Sequence, residues 1–143
     1  MSRPFIAGLA GLCFLVQSAV AQTVKKANVP AAVQSALIEK YPEATHVIWE
    51  KEKDNFEANW GGKSNEDNSA VFTPAGQFVE IVVAIPISSL PAGVAAYVQK
   101  NYSGSRITEA GKVTDASGQI SYEAEVKGKD MIFDKDGRFI KKD

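Results

Sequence analysis

The sequence predicts an α+β fold, built as two tandem helix-plus-four-strand antiparallel repeats with both helices packed on one face of the sheet. Three observations predict it: an internal repeat with an offset near 61 residues, a four-residue apolar spacing behind a proline in each copy, and period-two alternation in the strands that follow.

The repeat is read first. Val29-Pro30-Ala31-Ala32-Val33 recurs as Leu90-Pro91-Ala92-Gly93-Val94, and Leu37 and Tyr41 recur as Val98 and Tyr102, all at an offset of 61. Phe56-Glu57-Ala58-Asn59-Trp60 answers to Tyr122-Glu123-Ala124-Glu125-Val126 at 66, and Phe72, Gly76 and Phe78 answer to Phe133, Gly137 and Phe139 at 61 again. The offset grows and returns because the two copies differ in loop length, where insertions are tolerated. These boundaries place one copy at 29–89 and the second at 90–143, with residues 22–28 as a short N-terminal tether.

Each copy opens with a helix. Pro30 and Pro91 suit the start of a helix, where the missing N–H has no helical partner anyway. The spacing Val29, Val33, Leu37 and Leu90, Val94, Val98 then makes one apolar stripe per helix. Pro42 stops the first helix after Tyr41, and Ser103-Gly104 ends the second. A first strand follows near His46–Lys51 and Arg106–Val113, with its register left open. In the next strand Ile120, Tyr122, Ala124 and Val126 alternate with polar residues, and Phe56, Ala58 and Trp60 do the same in the first copy. Short strands at Ala70–Thr73 and Asp130–Phe133 turn through Thr73-Pro74-Ala75-Gly76 and Asp134-Lys135-Asp136-Gly137 into last strands at Gln77–Ile85 and Arg138–Lys142. Phe78–Ile87 is almost continuously apolar and belongs near the centre of the sheet.

Residues 1–21 have the pattern of an export signal: one early charge at Arg3, an apolar run from Phe5 to Val16, and Ala19-Val20-Ala21 before the cleavage point. Twelve apolar residues make a helix of roughly 18 Å, too short for a hydrocarbon core of roughly 30 Å. The expected compartment is the periplasm or the exterior, with no membrane span after cleavage. Cleavage removes the only cysteine, Cys13, so the remaining 122 residues fold without a disulfide.

Composition narrows the function. The 143 residues are 45% hydrophobic, 23% charged and 9% aromatic, with 16 Lys+Arg against 17 Asp+Glu and a net charge of -1, or -2 once Arg3 is gone. That balance argues against a nucleic-acid surface. His46 is the single histidine and stands near no nucleophile motif. Asp134, Asp136 and Gly137 open like a calcium loop, but its closing glutamate would fall past the C-terminus, so they read as a turn. Asn65-Glu66-Asp67-Asn68 reads as a solvated loop tip. No enzyme, metal site or cofactor is expected.

The order of these motifs resembles the beta-lactamase-inhibitor-like, PepSY-like family: a V/L-P-x-x-V helix ending in Tyr, a Phe/Tyr-Glu-Ala strand, and a hairpin ending Asp-x-x-Gly-x-Phe. The resemblance runs from Val29 to Asp143. It implies a small exported bacterial protein of tandem helix-plus-sheet repeats, related to proteins that inhibit enzymes through a sheet face. The function expected is a non-enzymatic binding or inhibitor-like module that recognises a protein or peptide. The alternative is a small-molecule-binding protein with a pocket between helices and sheet. With helices on one face, Glu57, Asn59, Glu123 and Glu125 alternate onto the opposite, exposed face, an acidic surface suited to a basic partner. Trp49, unmatched by the repeat, is the candidate apolar anchor beside them.

Overall fold

The computed structural model describes residues 22–142, and the leader expected at 1–21 lies outside them. Helix α1 spans Ala31–Lys40 and α2 spans Ala92–Asn101. Each follows a proline with φ of -54° at its N-cap, and each ends where a tyrosine N–H, of Tyr41 or Tyr102, bonds back to the carbonyl of Leu37 or Val98. The strands are β1 Gln22–Val24, β2 Ile48–Glu52, β3 Asn55–Trp60, β4 Asn68–Phe72, β5 Phe78–Ala84, β6 Ile107–Asp115, β7 Ile120–Val126, β8 Lys129–Asp134 and β9 Phe139–Lys142. They form a single antiparallel sheet in strict chain order from β1 to β9. Short connections between alternating strands leave each strand next to its sequence neighbours.

One expectation changes here. The stretch 22–28 is no tether: Gln22, Thr23 and Val24 pair with Lys51, Glu50 and Trp49 as an edge strand, followed by a 3-10 turn at Lys26–Asn28. The backbone edge of β2 would otherwise stand unpaired. The apolar run at Phe78–Ile87 does hold the central, fifth strand, yet Val83 and Ala84 are exposed. Each helix covers its own half of the sheet and leaves the middle open.

The apolar residues gather in two clusters. Val33 and Leu37 of α1 pack with Trp49, Phe56, Ala58, Trp60, Ala70 and Phe72. Val94 and Val98 of α2 pack with Ala124, Val126, Met131 and Phe133. The cross-strand pairs Ala58↔Ala70↔Ile81↔Thr114↔Ile120 and Ala110↔Ala124↔Met131 put both clusters on the same side of the sheet. The edge-to-face pairs Phe72–Phe78 and Phe133–Phe139 have the same ring separation, 5.8 Å. Such pairs add to plain area burial.

Turn glycines set how closely the hairpins approach the helices. Gly76 has φ of +81°, and a Cβ there would lie 2.6 Å from the Ala32 carbonyl oxygen. In the second half Gly137 has φ of +82°, and a Cβ on Gly93 would lie 2.7 Å from the Gly137 oxygen. Replacing Gly76 by alanine therefore meets both a left-handed backbone and a backbone clash. Gly104 has φ of +80° with nothing within 4 Å of a Cβ, so it isolates the backbone strain. Urea unfolding of Gly76→Ala should show a loss of about 1–3 kcal/mol, larger than the loss in Gly104→Ala. Equal losses would mean that the close approach to α1 is relaxed.

Candidate functional site

The strand register decides which side chains face away from the helices. Glu50↔Glu57↔Val71↔Glu80↔Asp115 forms one row across that face, and Ala84↔Gly111↔Glu123↔Ile132↔Lys141 forms another. This face is not an open, solvated plane. Glu57 is 4% exposed, Asn59 6% and Glu123 3%, while Glu125 is half-buried. The expectation of an exposed Glu57–Asn59–Glu123 surface is corrected accordingly. The pattern of alternation says which face a residue takes, and the curvature that lets neighbouring side chains cover it is a property of the whole sheet.

Trp49 is corrected too. It pairs with Ala58, so it points to the helix side, 4% exposed and packed in the α1 cluster. It cannot anchor a partner on the opposite face.

The helix-free face holds a cleft of about 510 Å³. Its lining brings together Glu57 and Asn59 of β3, Glu109 of β6, Glu123 and Glu125 of β7 and Asp130 of β8, with Glu66 and Asp67 from the β3–β4 hairpin at its rim. Seven of the lining residues are carboxylates, and none is Lys, Arg or His. Ala84, Ile85, Pro86 and Ile87 make an apolar wall, and Gly111 leaves room between Ala84 and Glu123. No residue of α1 or α2 lines it, so the cavity lies across the sheet from the helix–sheet layer where a small-molecule pocket was expected.

The electrostatics follow from burial. The Glu57 carboxyl is pushed up to about 7, first by loss of water and then by repulsion from Glu52 and Glu50. The Ser69 hydroxyl, which donates to Glu57, pulls the other way, as does the nearby Asn59 amide more weakly. Glu80 is also pushed up to about 7, by desolvation and then by Glu52 and Asp115, with Lys141 opposing. Desolvation raises Glu109, helped by Glu125 and Glu66, and raises Glu50. The Thr108 hydroxyl donates to the Glu125 carboxylate at 2.5 Å. The Asn59 Nδ2 is buried and makes no hydrogen bond of normal geometry.

The remaining candidates fall elsewhere. His46 is exposed in a left-handed backbone conformation, φ 53°. The Asp134 carboxylate accepts from the backbone N–H groups of Asp136 and Arg138, as a turn aspartate does. No group of His, Cys, Asp and Glu suited to a metal ion occurs among the described residues. No helix among them is long and apolar enough to cross a membrane. Sequence reasoning missed Glu66, Asp67, Glu109 and Asp130 as cleft residues. Asp130 was legible in retrospect, since it pairs with Glu125 across β7–β8.

A meander sheet with two helices on one side and an acidic cleft on the other defines an α+β protein. The chain belongs to the beta-lactamase-inhibitor-like, PepSY-like family, whose sequence profile matches residues 62–141. Its fold is that of a candidate periplasmic protein from Bacteroides eggerthii, with 20% identity, a TM-score of 0.68, and 80% of this chain and 88% of that one covered. A DUF2874 family protein from Bacteroides uniformis has 23% identity and a TM-score of 0.67 over the same shares, 80% and 88%. A BLIP-like protein from Bacteroides fragilis has 21% identity and a TM-score of 0.61, with 80% of this chain and 85% of that one covered. No curated protein matches the chain.

Proposed function

We infer that this chain is an exported, non-enzymatic binding module that recognises a protein or peptide with the helix-free face of its sheet, built from two copies of one helix-plus-strands unit. The observation that carries the reading is the acidic cleft of about 510 Å³ on that face. Buried carboxylates cost stability, so their concentration in one concave place points to use rather than to folding. The leader pattern at 1–21 and the periplasmic assignment of a structural relative support export. The family name, inhibitor-like, supports a protein as partner.

Photo-crosslinking tests it. A crosslinking amino acid placed at Glu66 or Thr108, both exposed at the cleft, should trap a protein from the periplasmic fraction of the producing bacterium. The same group at Ile38 of α1 or Lys100 of α2 should trap nothing above background. Crosslinks from the helix positions alone would move the binding surface to the other side of the molecule.

A further inference from the structure

We propose that the exported chain begins at Gln22 and that Gln22 is a modification site, converted to pyroglutamate by closure of its α-amine on its own side-chain amide. This rests on the export reading and adds what export does to the chain.

The sequence supplies the substrate. Ala19-Val20-Ala21 places the cleavage point directly before Gln22. In the uncleaved chain the Gln22 nitrogen is a peptide amide and attacks nothing. Cleavage turns it into a primary amine whose ordinary pKa is about 7.7–8.0, so roughly a tenth is unprotonated at neutral pH. The side-chain carbonyl of a glutamine then lies one five-membered ring away. The amine, having given one proton to water, attacks Cδ. The N–Cδ bond forms, the Cδ–Nε2 bond breaks, and Nε2 leaves as ammonia with a second proton from the amine. No oxidant, reductant or second reactant enters, and holding both partners in one residue supplies the effective concentration.

The fold leaves this residue open to the reaction. Gln22 is exposed and is the first residue of β1, whereas the residues after it are anchored. Val24 packs half-buried against the α1 cluster, and the Gln34 amide donates to the carbonyls of Lys26 and Val29 at 3.0 and 2.9 Å. The new N-terminus is therefore held on the surface at the edge of the sheet. Pairing with β2 fixes the main chain of Gln22 but not its side-chain torsions, which are what ring closure turns.

The neighbours favour the product. Gln22 stands opposite Lys51, whose ammonium lies 4.1 Å from the centre of the Phe56 ring, and Lys25 and Lys26 follow along the chain. Glu50 and Glu52 alternate onto the other face of β2. An α-ammonium opposite Lys51 makes a like-charge pair, whereas the lactam is neutral and keeps one N–H. A chain without a free amine also gives an aminopeptidase nothing to grip, so β1 keeps the residues that cover the β2 edge.

Intact-mass spectrometry of the chain, made with its leader and purified from the periplasmic fraction of the producing bacterium, tests the proposal. The expected mass is that of residues 22–143 less one ammonia, with the loss carried by the tryptic peptide Gln22–Lys25. Gln22→Ser leaves the cleavage pattern in place and should give residues 22–143 with a free α-amine and no loss. A second measurement ties the reaction to the fold. A chain freshly released with a free amine at Gln22 should cyclise at rates within about twofold of each other, folded and in guanidinium chloride, because the side chain is exposed. A folded chain that keeps its amine while the unfolded one cyclises overturns the proposal. Residues 22–143 recovered from the periplasm with a free α-amine overturn it too, and leave export standing, as does cleavage at another bond. A chain recovered with residues 1–21 attached removes the export reading and the proposal together.

Discussion

Replacing Phe72 by alanine will lower the unfolding free energy by about 3–5 kcal/mol, and Phe133→Ala will do the same. Both rings are fully buried, in the α1 and α2 clusters respectively, and each makes an edge-to-face contact with the phenylalanine at the start of the following strand. Alanine leaves a cavity that the neighbours cannot close, because the helix above is held by its hairpin and the sheet below by its ladder. The clusters share no residue, but they stand on one continuous sheet from β1 to β9. Each variant should therefore shift the single urea transition of the whole domain rather than melt one half. Tryptophan fluorescence follows the first half, through Trp49 and Trp60, and far-ultraviolet circular dichroism follows both. If the two probes separate in Phe133→Ala, the halves unfold independently and the sheet is not the cooperative unit.

Stability will rise as pH falls from 8.5 to 5.5, the reverse of the usual carboxylate behaviour. Glu57 and Glu80 titrate near 7 in the folded chain, against an ordinary value of 4.5. Between 4.5 and 7 the folded state holds protons that the unfolded state has lost, so stability decreases with rising pH through that window and is fully present below it. For the well-buried Glu57 the full effect is on the order of 3 kcal/mol. Glu80 adds less than its shift suggests, since water reaches it more readily. Glu57→Gln keeps an acceptor for the Ser69 hydroxyl and removes the charge. It should be more stable than the native chain by about 2–3 kcal/mol at pH 8.5 and indistinguishable from it at pH 5, in urea titrations at the two values. Asp115 and Asp134, held low by turn hydrogen bonds, act in a separate window below 3.8, where protonation removes their contribution. A native chain with no slope between pH 5 and 8.5 would show that Glu57 is solvated and the cleft is wider than described.

The pH dependence and the acidic cleft belong to the same face of the sheet. The groups that oppose folding at neutral pH are the ones that face the cleft or its neighbouring row.

How legible was each element? The helices were legible to within a residue at their starts, because Pro30 and Pro91 act on local backbone geometry and Val33, Leu37, Val94 and Val98 repeat at helical spacing. The hairpin at Asp134–Gly137 was legible for the same reason, since an aspartate that bonds its own backbone needs no distant partner. Strand β1 was not. Three residues carry too little alternation to announce a strand, and Gln22–Val24 is one because β2 offers it an edge. Trp49 shows the limit differently: its strand was placed near 46–51, but its face depended on the Trp49↔Ala58 register, which pairing alone sets.

The order of elements, the side of the sheet on which Phe56, Ala58, Ala124 and Val126 stand, and the grouping of Glu57, Asn59, Glu123 and Glu125 on the other side were determined by the sequence itself, because alternation and helical spacing are local. Only the tertiary structure decided that those acids are buried, that hairpin residues Glu66 and Asp67 join them, and that Glu57 and Glu80 hold their protons near neutrality. Burial depends on curvature summed over nine strands and on loops that arrive from elsewhere in the chain. A carboxylate's proton affinity depends on that burial and on neighbours tens of residues away, which no window of sequence contains.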